Sequence, residues 1–326
     1  MAEPGATELV TTTLRLRTKK IRDNITNYNI LSEEMEVTKG ADGRTIFREM
    51  SYAQNGTFTR YTGADPINIS YNPTMTAAEF EPKQFAVAVT ITGREKKMNA
   101  GPEGLIKLLG ARTKVAEATL ANYYNGDMFS DGTADGGKQI GGLLLLIAKI
   151  PTVGTVGGIN RAGSDSAFYR NYKFATATDW ADGAASAGNI KQLFNKVINA
   201  TQTNGEGPNR IIAGSAHYEY LQSATQAIQR LTDPKNAKIG YRNFDYQGIP
   251  VFLGSSVNYG GQTLIPSDLT YFVNTKGLEM VIYKGGDFEP LEMVQSINQD
   301  VTTQIIVFMG NMVLNQAKTQ GVLFDS

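Results

Sequence analysis

The sequence predicts an α+β fold, and three observations carry that expectation. Short β-prone runs, of which Phe85–Thr92 is the clearest, are scattered along the chain. One long stretch, residues 103–124, repeats apolar residues at three- and four-residue spacing. No regular strand–helix–strand beat orders the two kinds of element, which argues against a doubly wound sheet. The 34 glycines, with abundant Asn and Thr, supply the turns that such a mixed chain needs.

Each element has a local reason. Within residues 7–42, Val10, Leu14, Ile21 and Ile25 fall near a helical repeat, so part of this segment reads as helix. Arg15, Arg17, Lys19, Lys20 and Arg22 form a basic cluster there, and Glu33, Glu34 and Glu36 an acidic one. Two readings stay open: solvated faces, or an arm that docks on an acidic neighbour or lies near nucleic acid. Residues 43–70 read as a hairpin about Asn55-Gly56, a strong short-range turn signal. That turn sets Met50 opposite Tyr61, Ala53 opposite Phe58 and Tyr52 opposite Thr59. Asp65-Pro66 and Asn72-Pro73 interrupt the stretch between this hairpin and the strand Phe85–Thr92.

The helix over 103–124 carries Leu105, Leu108, Leu109, Val115, Ala116, Leu120 and Tyr123, with Pro102 at its start and Asn125-Gly126 at its end. Two shorter helices are predicted at 189–203, with Asn189 as N-cap, and at 216–229. Arg210–Ala213, Ile249–Leu253, Leu269–Asn274, Leu278–Tyr283 and Thr302–Leu314 read as strands.

Composition excludes several chemistries. The 326 residues suggest about two domains. Hydrophobic content of 41% suffices for a core. With 31 basic and 31 acidic residues, the chain is not a generally basic nucleic-acid binder. No Cys is present, which removes disulfides, thiol catalysis and Cys-based zinc sites. No signal peptide and no membrane-spanning run are visible, so a soluble chain is expected.

Two loop motifs fail on their own terms. Gly132–Gln139 approaches a phosphate-binding loop, but Gln139 stands where a Ser or Thr hydroxyl would hold Mg²⁺. Asp131–Gly136 begins like a calcium loop, yet Gly142 occupies the position of the bidentate Glu. His217, the one His, is expected to be a partly exposed helix residue, because no nucleophile or orienting carboxylate adjoins it in sequence. No catalytic, cofactor-binding or metal site is therefore assigned, and no cofactor.

The order of parts carries a resemblance. Tyr61-Thr-Gly63 follows the hairpin, and Ala77-Ala78-Glu79-Phe80 leads into Phe85–Thr92. The long helix runs into Asn125-Gly-Asp, Asp131-Gly-Thr133 and Ile140-Gly-Gly-Leu143. Gly154–Ile159, Gly248-Ile-Pro-Val251, Val301–Leu314 and Gly321–Asp325 complete the series. In this order, over almost the whole chain, the sequence resembles the major capsid protein of tailed double-stranded DNA bacteriophages. The resemblance implies an N-terminal arm (1–42), an extended hairpin loop (43–76), and a peripheral domain with the long helix (77–130, continued at 286–315). It implies an axial domain at 131–285, joined by the C-terminal tail 316–326, whose loops meet at the centre of hexamers and pentamers. The near-phosphate loop is then the passage from long helix to axial domain. Met50, Tyr52, Phe58, Arg60 and Tyr61 of the extended loop would contact a neighbouring subunit, and the basic cluster would face the shell interior near packaged DNA.

The resemblance implies a structural subunit rather than an enzyme, a virion component assembled in the host bacterial cytoplasm. Its expected partners are itself, a separate scaffold protein, a portal and decoration proteins. A separate scaffold is expected because no long scaffolding segment precedes the fold and the chain opens on Met1. A bacterial nanocompartment shell is the alternative with the same fold, and a phosphate-loop enzyme the alternative from another class. Some members of the resembled family join a loop Lys to a neighbour's Asn. No Lys lies between Lys39 and Lys83, so only noncovalent loop contacts are expected here.

Overall fold

A computed structural model describes residues 31, 34–98, 102–181, 183–203, 205–225, 243–254 and 265–325. The basic cluster between Arg15 and Arg22, the helix expected around Val10–Ile25, and the end of the helix expected to reach 229 lie outside the described residues. The main elements are β1 (Glu36–Ala41), β2 (Ile46–Ser51), β3 (Met75–Phe80), β4 (Lys83–Thr92), α1 (Gly93–Met98), α2 (Pro102–Asp127), β5 (Tyr172–Ala175) and α3 (Ile190–Thr201). They continue with β6 (Arg210–Ala213), α4 (Ser215–Thr225), β7 (Asn243–Tyr246), β8 (Ile249–Leu253), β9 (Leu269–Val273), β10 (Leu278–Tyr283), β11 (Val301–Leu314) and β12 (Gly321–Phe324). The fold is α+β, as its sequence predicts.

The first sheet is built on β11, whose length lets it serve several neighbours. Residues 301–310 pair antiparallel with β4 along one edge. Along the other edge lie β10 and the short segments Glu289–Pro290 and Val294–Gln295. β1 then adds in parallel outside β10. Period-two alternation sends Phe85, Val87, Val89 and Ile91 of β4 to one face. There Val89 and Ile91 pack with Leu109 and Ala116 of α2. Farther along α2, the Tyr124 ring meets Phe288 and Phe308 edge-on at 5.6 and 5.4 Å. A reciprocal capping box opens α1: Thr92 N donates to Glu95 Oε2 at 3.0 Å, and Glu95 N donates to Thr92 Oγ1 at 3.3 Å. Arg112 grips the same carboxylate and the Thr90 carbonyl, tying α2 to the end of β4.

The second sheet runs β5-β12-β9-β6-β8-β7. One stripe of α3, including Leu193, Phe194 and Val197, is buried against it. The helix lies so close that a Cβ at Gly321 would come within 2.8 Å of Val197. β9 and β10 are buried on both faces, which is why they read in sequence as continuous apolar runs.

Several expectations are corrected. The hairpin does not turn at Asn55-Gly56: β2 pairs with β3, so Met50 lies opposite Thr76 and Ser51 opposite Met75. A two-residue hairpin turn of the expected type needs positive φ at both central residues. Neither Asn55 nor Gly56 has it. Second, residues 36–41, placed in the arm, form β1 inside the first sheet. Glu34 of the acidic cluster is not simply solvated either, since it pairs with Arg210. Third, the Asn189 side chain does not cap α3; it accepts from Ser186 N at 2.7 Å and donates to the Ala184 carbonyl at 3.1 Å. In addition β10, expected with the axial residues, hydrogen-bonds to β11 in the sheet beside α2.

Candidate assembly surfaces

Residues 52–74 leave β2, travel without regular structure and return to β3. The root of this loop is held firmly. Arg48 donates to Glu279 Oε2 from Nε at 2.9 Å and from Nη2 at 2.7 Å, joining β2 to β10. Met50 packs on the main core. The Tyr52 ring lies 5.7 Å from Phe168, and its hydroxyl donates to the Pro73 carbonyl at 2.9 Å. A Gly157-Gly158 turn braces β3, accepting from Glu79 N at 2.9 Å. Both glycines have positive φ, and a Cβ at Gly157 would come within 2.9 Å of Ala78 and Phe80.

Among the described residues, none of its own chain covers the body of the loop. Phe58 is 74% exposed, Ile69 92% and Tyr71 93%, with Tyr61 and Ile67 also exposed. Between 52 and 74 the only charged residues are Arg60 and Asp65. Arg60 sits over the Phe58 ring at 5.2 Å, and Asp65 accepts from Thr62 N at 3.0 Å.

The first sheet offers a second surface that no described residue covers. Opposite the face covered by α2, β4 presents Ala86, Ala88, Thr90 and Thr92, which are exposed and pair with Val307, Ile305, Thr303 and Val301 of β11. Leu291 and Val294 extend it, both exposed. Residues 84–92 and 301–310 contain no charged side chain. Loop and sheet face are thus alike in exposing apolar side chains with few charges: Arg60 and Asp65 on the loop, and exposed Glu289 opposite Val307 at the margin of the sheet face. Exposed contiguous apolar surface of this kind marks an interaction site.

The five loop residues expected at a subunit contact divide into two groups. Phe58, Arg60 and Tyr61 are exposed, whereas Met50 and Tyr52 engage their own chain at the root. The expectation missed Ile67, Ile69 and Tyr71, whose period-two alternation between Pro66 and Pro73 was a usable signal.

The motifs considered for catalysis and binding are used internally. His217 is not partly exposed: it is fully buried. Its Nδ1 lies 2.9 Å from Thr270 Oγ1, and its Nε2 lies 3.3 Å from Asp325 Oδ2 without hydrogen-bond alignment. Asp325 Oδ1 accepts from Thr176 Oγ1 and Ala185 N at 3.1 and 3.0 Å. Thr270 is fully buried as well, so this Thr–His–Asp arrangement has no face open to a substrate. Burial lowers the His217 pKa, against the opposing pull of Asp325. The near-phosphate loop follows α2 rather than a strand, and Asp135, Gly136 and Gly137 take positive φ in succession. Asp131 Oδ1 closes its own turn, accepting from Thr133 N at 3.0 Å and Thr133 Oγ1 at 2.7 Å.

No family model matches the sequence, and neither does any curated protein. Solved structures do match. The capsid asymmetric unit of cyanophage A-1(L) is similar at TM-score 0.63 and 14% identity, covering 90% of both chains. The capsid of an empty GTA particle is similar at TM-score 0.55 and 12% identity, over 91% of this chain and 89% of the other. The SrpI encapsulin of Synechococcus elongatus PCC 7942 is similar at TM-score 0.53 and 9% identity, over 90% of this chain and 86% of that one. The chain has the fold that these capsid and encapsulin subunits share.

Proposed function

We propose that this chain, having the fold of tailed-phage capsid subunits, is itself a major capsid protein: a subunit that assembles as hexamers and pentamers into a closed icosahedral or prolate head around double-stranded DNA. It catalyses no reaction; its work is self-association. One observation carries the reading. A firmly rooted loop exposes apolar side chains, and the described residues also leave exposed a sheet face of Ala, Thr, Val and Ile side chains on the same molecule. Fully burying one such side chain is worth roughly 1.5–3 kcal/mol. Association itself costs about 4–15 kcal/mol. A single loop therefore holds a neighbour weakly, and many loops in a closed shell hold it collectively. The subunit would reside in the virion after assembly in the host cytoplasm. A separate scaffold protein, a portal and decoration proteins would be its partners, and the N-terminal basic cluster would lie near DNA.

Electron microscopy of the purified protein tests this. Closed shells or capsomer rings are expected; a monodisperse monomer or dimer under all conditions would overturn the reading. The encapsulin likeness keeps one second reading, a nanocompartment shell. Particles that carry a cargo enzyme and have twelve equivalent vertices, with none specialised for DNA entry, would favour it.

A further inference from the structure

The Asn55-Gly56 step does not turn the hairpin, and its geometry suits it to something else. Asn55 and Gly56 are both exposed near the start of the 52–74 loop. The Asn55 carboxamide oxygen accepts two hydrogen bonds, from Thr57 N at 3.0 Å and Thr57 Oγ1 at 2.8 Å. Two donors on one carbonyl oxygen withdraw charge from its carbon and stabilise an oxyanion formed by attack there. The atom best placed to attack is the backbone nitrogen of the next residue. Here that residue is Gly, with no side chain to shield the nitrogen or crowd a five-membered ring.

We propose that Asn55 is a site of spontaneous covalent modification, converting through a cyclic imide to aspartate and isoaspartate. The Gly56 nitrogen gives its proton to solvent base and bonds to Asn55 Cγ. The Cγ–Nδ2 bond breaks, and Nδ2 takes up one proton from solvent and leaves as ammonia. Water then adds to either imide carbonyl and opens the ring. The net change is replacement of ammonia by water, with no oxidant or reductant. Because the first step needs a deprotonated amide, the rate rises with pH.

The consequence is electrostatic. Arg60 and Asp65 balance each other in residues 52–74. A new carboxylate, ionised at neutral pH, makes the loop net negative. On the proposed assembly reading, a negative loop seats less well on a neighbour's apolar surface, while a seated loop is shielded from solvent base and water, so unassembled subunits age and assembled ones are protected.

The same molecule holds two controls. Asn68 Oδ1 accepts from Ser70 N at 3.0 Å and Ser70 Oγ at 2.5 Å, the same pattern in the same loop, but the following residue is Ile69. Asn125 is followed by Gly126, but the pair lies inside α2, and Asn125 Oδ1 is buried without a hydrogen-bond partner. Asn68 has the donors without the glycine, and Asn125 has the glycine without the donors.

The test is peptide mapping by mass spectrometry of the full chain, incubated unassembled in mildly alkaline buffer. Asn55 should convert at least about tenfold faster than Asn68 and Asn125, a difference of ~1.4 kcal/mol in barrier. Gly56→Ala should slow it strongly, and Thr57→Val partly. Ala is tolerated there, since φ is not positive and an added Cβ meets only the Asn72 amide. Equal rates at the three asparagines, or unchanged conversion in Gly56→Ala, would overturn the proposal. This readout needs no assembly, so it fails or succeeds apart from the capsid reading. Repeating it on closed shells tests the protection alone.

Discussion

His217 shows how much one buried side chain can report. It is the only histidine, so any histidine titration belongs to it. Burial lowers its pKa in the folded state, while Asp325 and Asp268 pull the other way. The unfolded chain therefore takes up the proton at higher pH than the folded one. The stability it contributes is complete above the unfolded value and declines as pH falls through the region below it. Thermal unfolding between about pH 7.5 and 5.5, a window around the ordinary histidine value, should show melting temperature falling with pH. His217→Gln should flatten that slope. Parallel profiles for the two proteins would refute the assignment. Sequence spacing could not reveal this burial. The ring is enclosed by Thr270 of β9 and Asp325 beyond β12, residues brought to it only by the second sheet.

At the scale of elements, legibility followed locality. α2 was readable because its apolar repeat lies within one segment, and the structure extends it only to Pro102–Asp127. β6, β8 and β10 were readable as short apolar runs for the same reason. β2 and β3 were not readable as a pair, because the register joining Ile46 to Phe80 is set by contacts far apart in sequence. Nor was the ion pair of Arg48 with Glu279, which anchors β2 to the first sheet. Glu279 is nearly buried, and Asn315 Nδ2 reaches the same Oε2 at only 3.4 Å. Arg48→Ala leaves that carboxylate largely uncompensated and should cost about 1–3 kcal/mol, between exposed and fully buried pairs. Chemical denaturation measures it; a loss too small to resolve would mean that β2 is anchored by packing alone. The Thr92–Glu95 box adds an acid-resistant join. Hydrogen bonds from Arg112 and Thr92 hold the Glu95 pKa at about 2, so this join should persist until pH falls toward that value.

At the scale of the whole molecule, the loop and the exposed sheet face make assembly the property to test. Phe58→Asp and Tyr71→Asp should each impair shell formation while leaving the subunit's helical circular dichroism and melting nearly unchanged. A variant that unfolds as a monomer would show that the loop belongs to its own chain's core. Shells boiled in detergent should run as one band at monomer mass, because residues 40–82 contain no lysine to form a cross-link; a covalent ladder would contradict this. Replacing Arg15, Arg17, Lys19, Lys20 and Arg22 by Gln should change the salt dependence of assembly or packaging, since exposed charges are screened over ~8–10 Å at ordinary salt. Unchanged behaviour at every salt concentration would leave the cluster without a role. The sequence by itself determined the mixed class, the long helix, most strands and the exclusion of thiol chemistry, because periodicity and residue type are local properties. The tertiary structure alone decided where the loop begins and ends, that β1 joins the first sheet in parallel, and that one sheet face is left exposed by the described residues. Each of these depends on which distant backbone groups satisfy one another, and strand pairing across long separations is decided by the closed hydrogen-bond pattern of the whole sheet rather than by any segment within it.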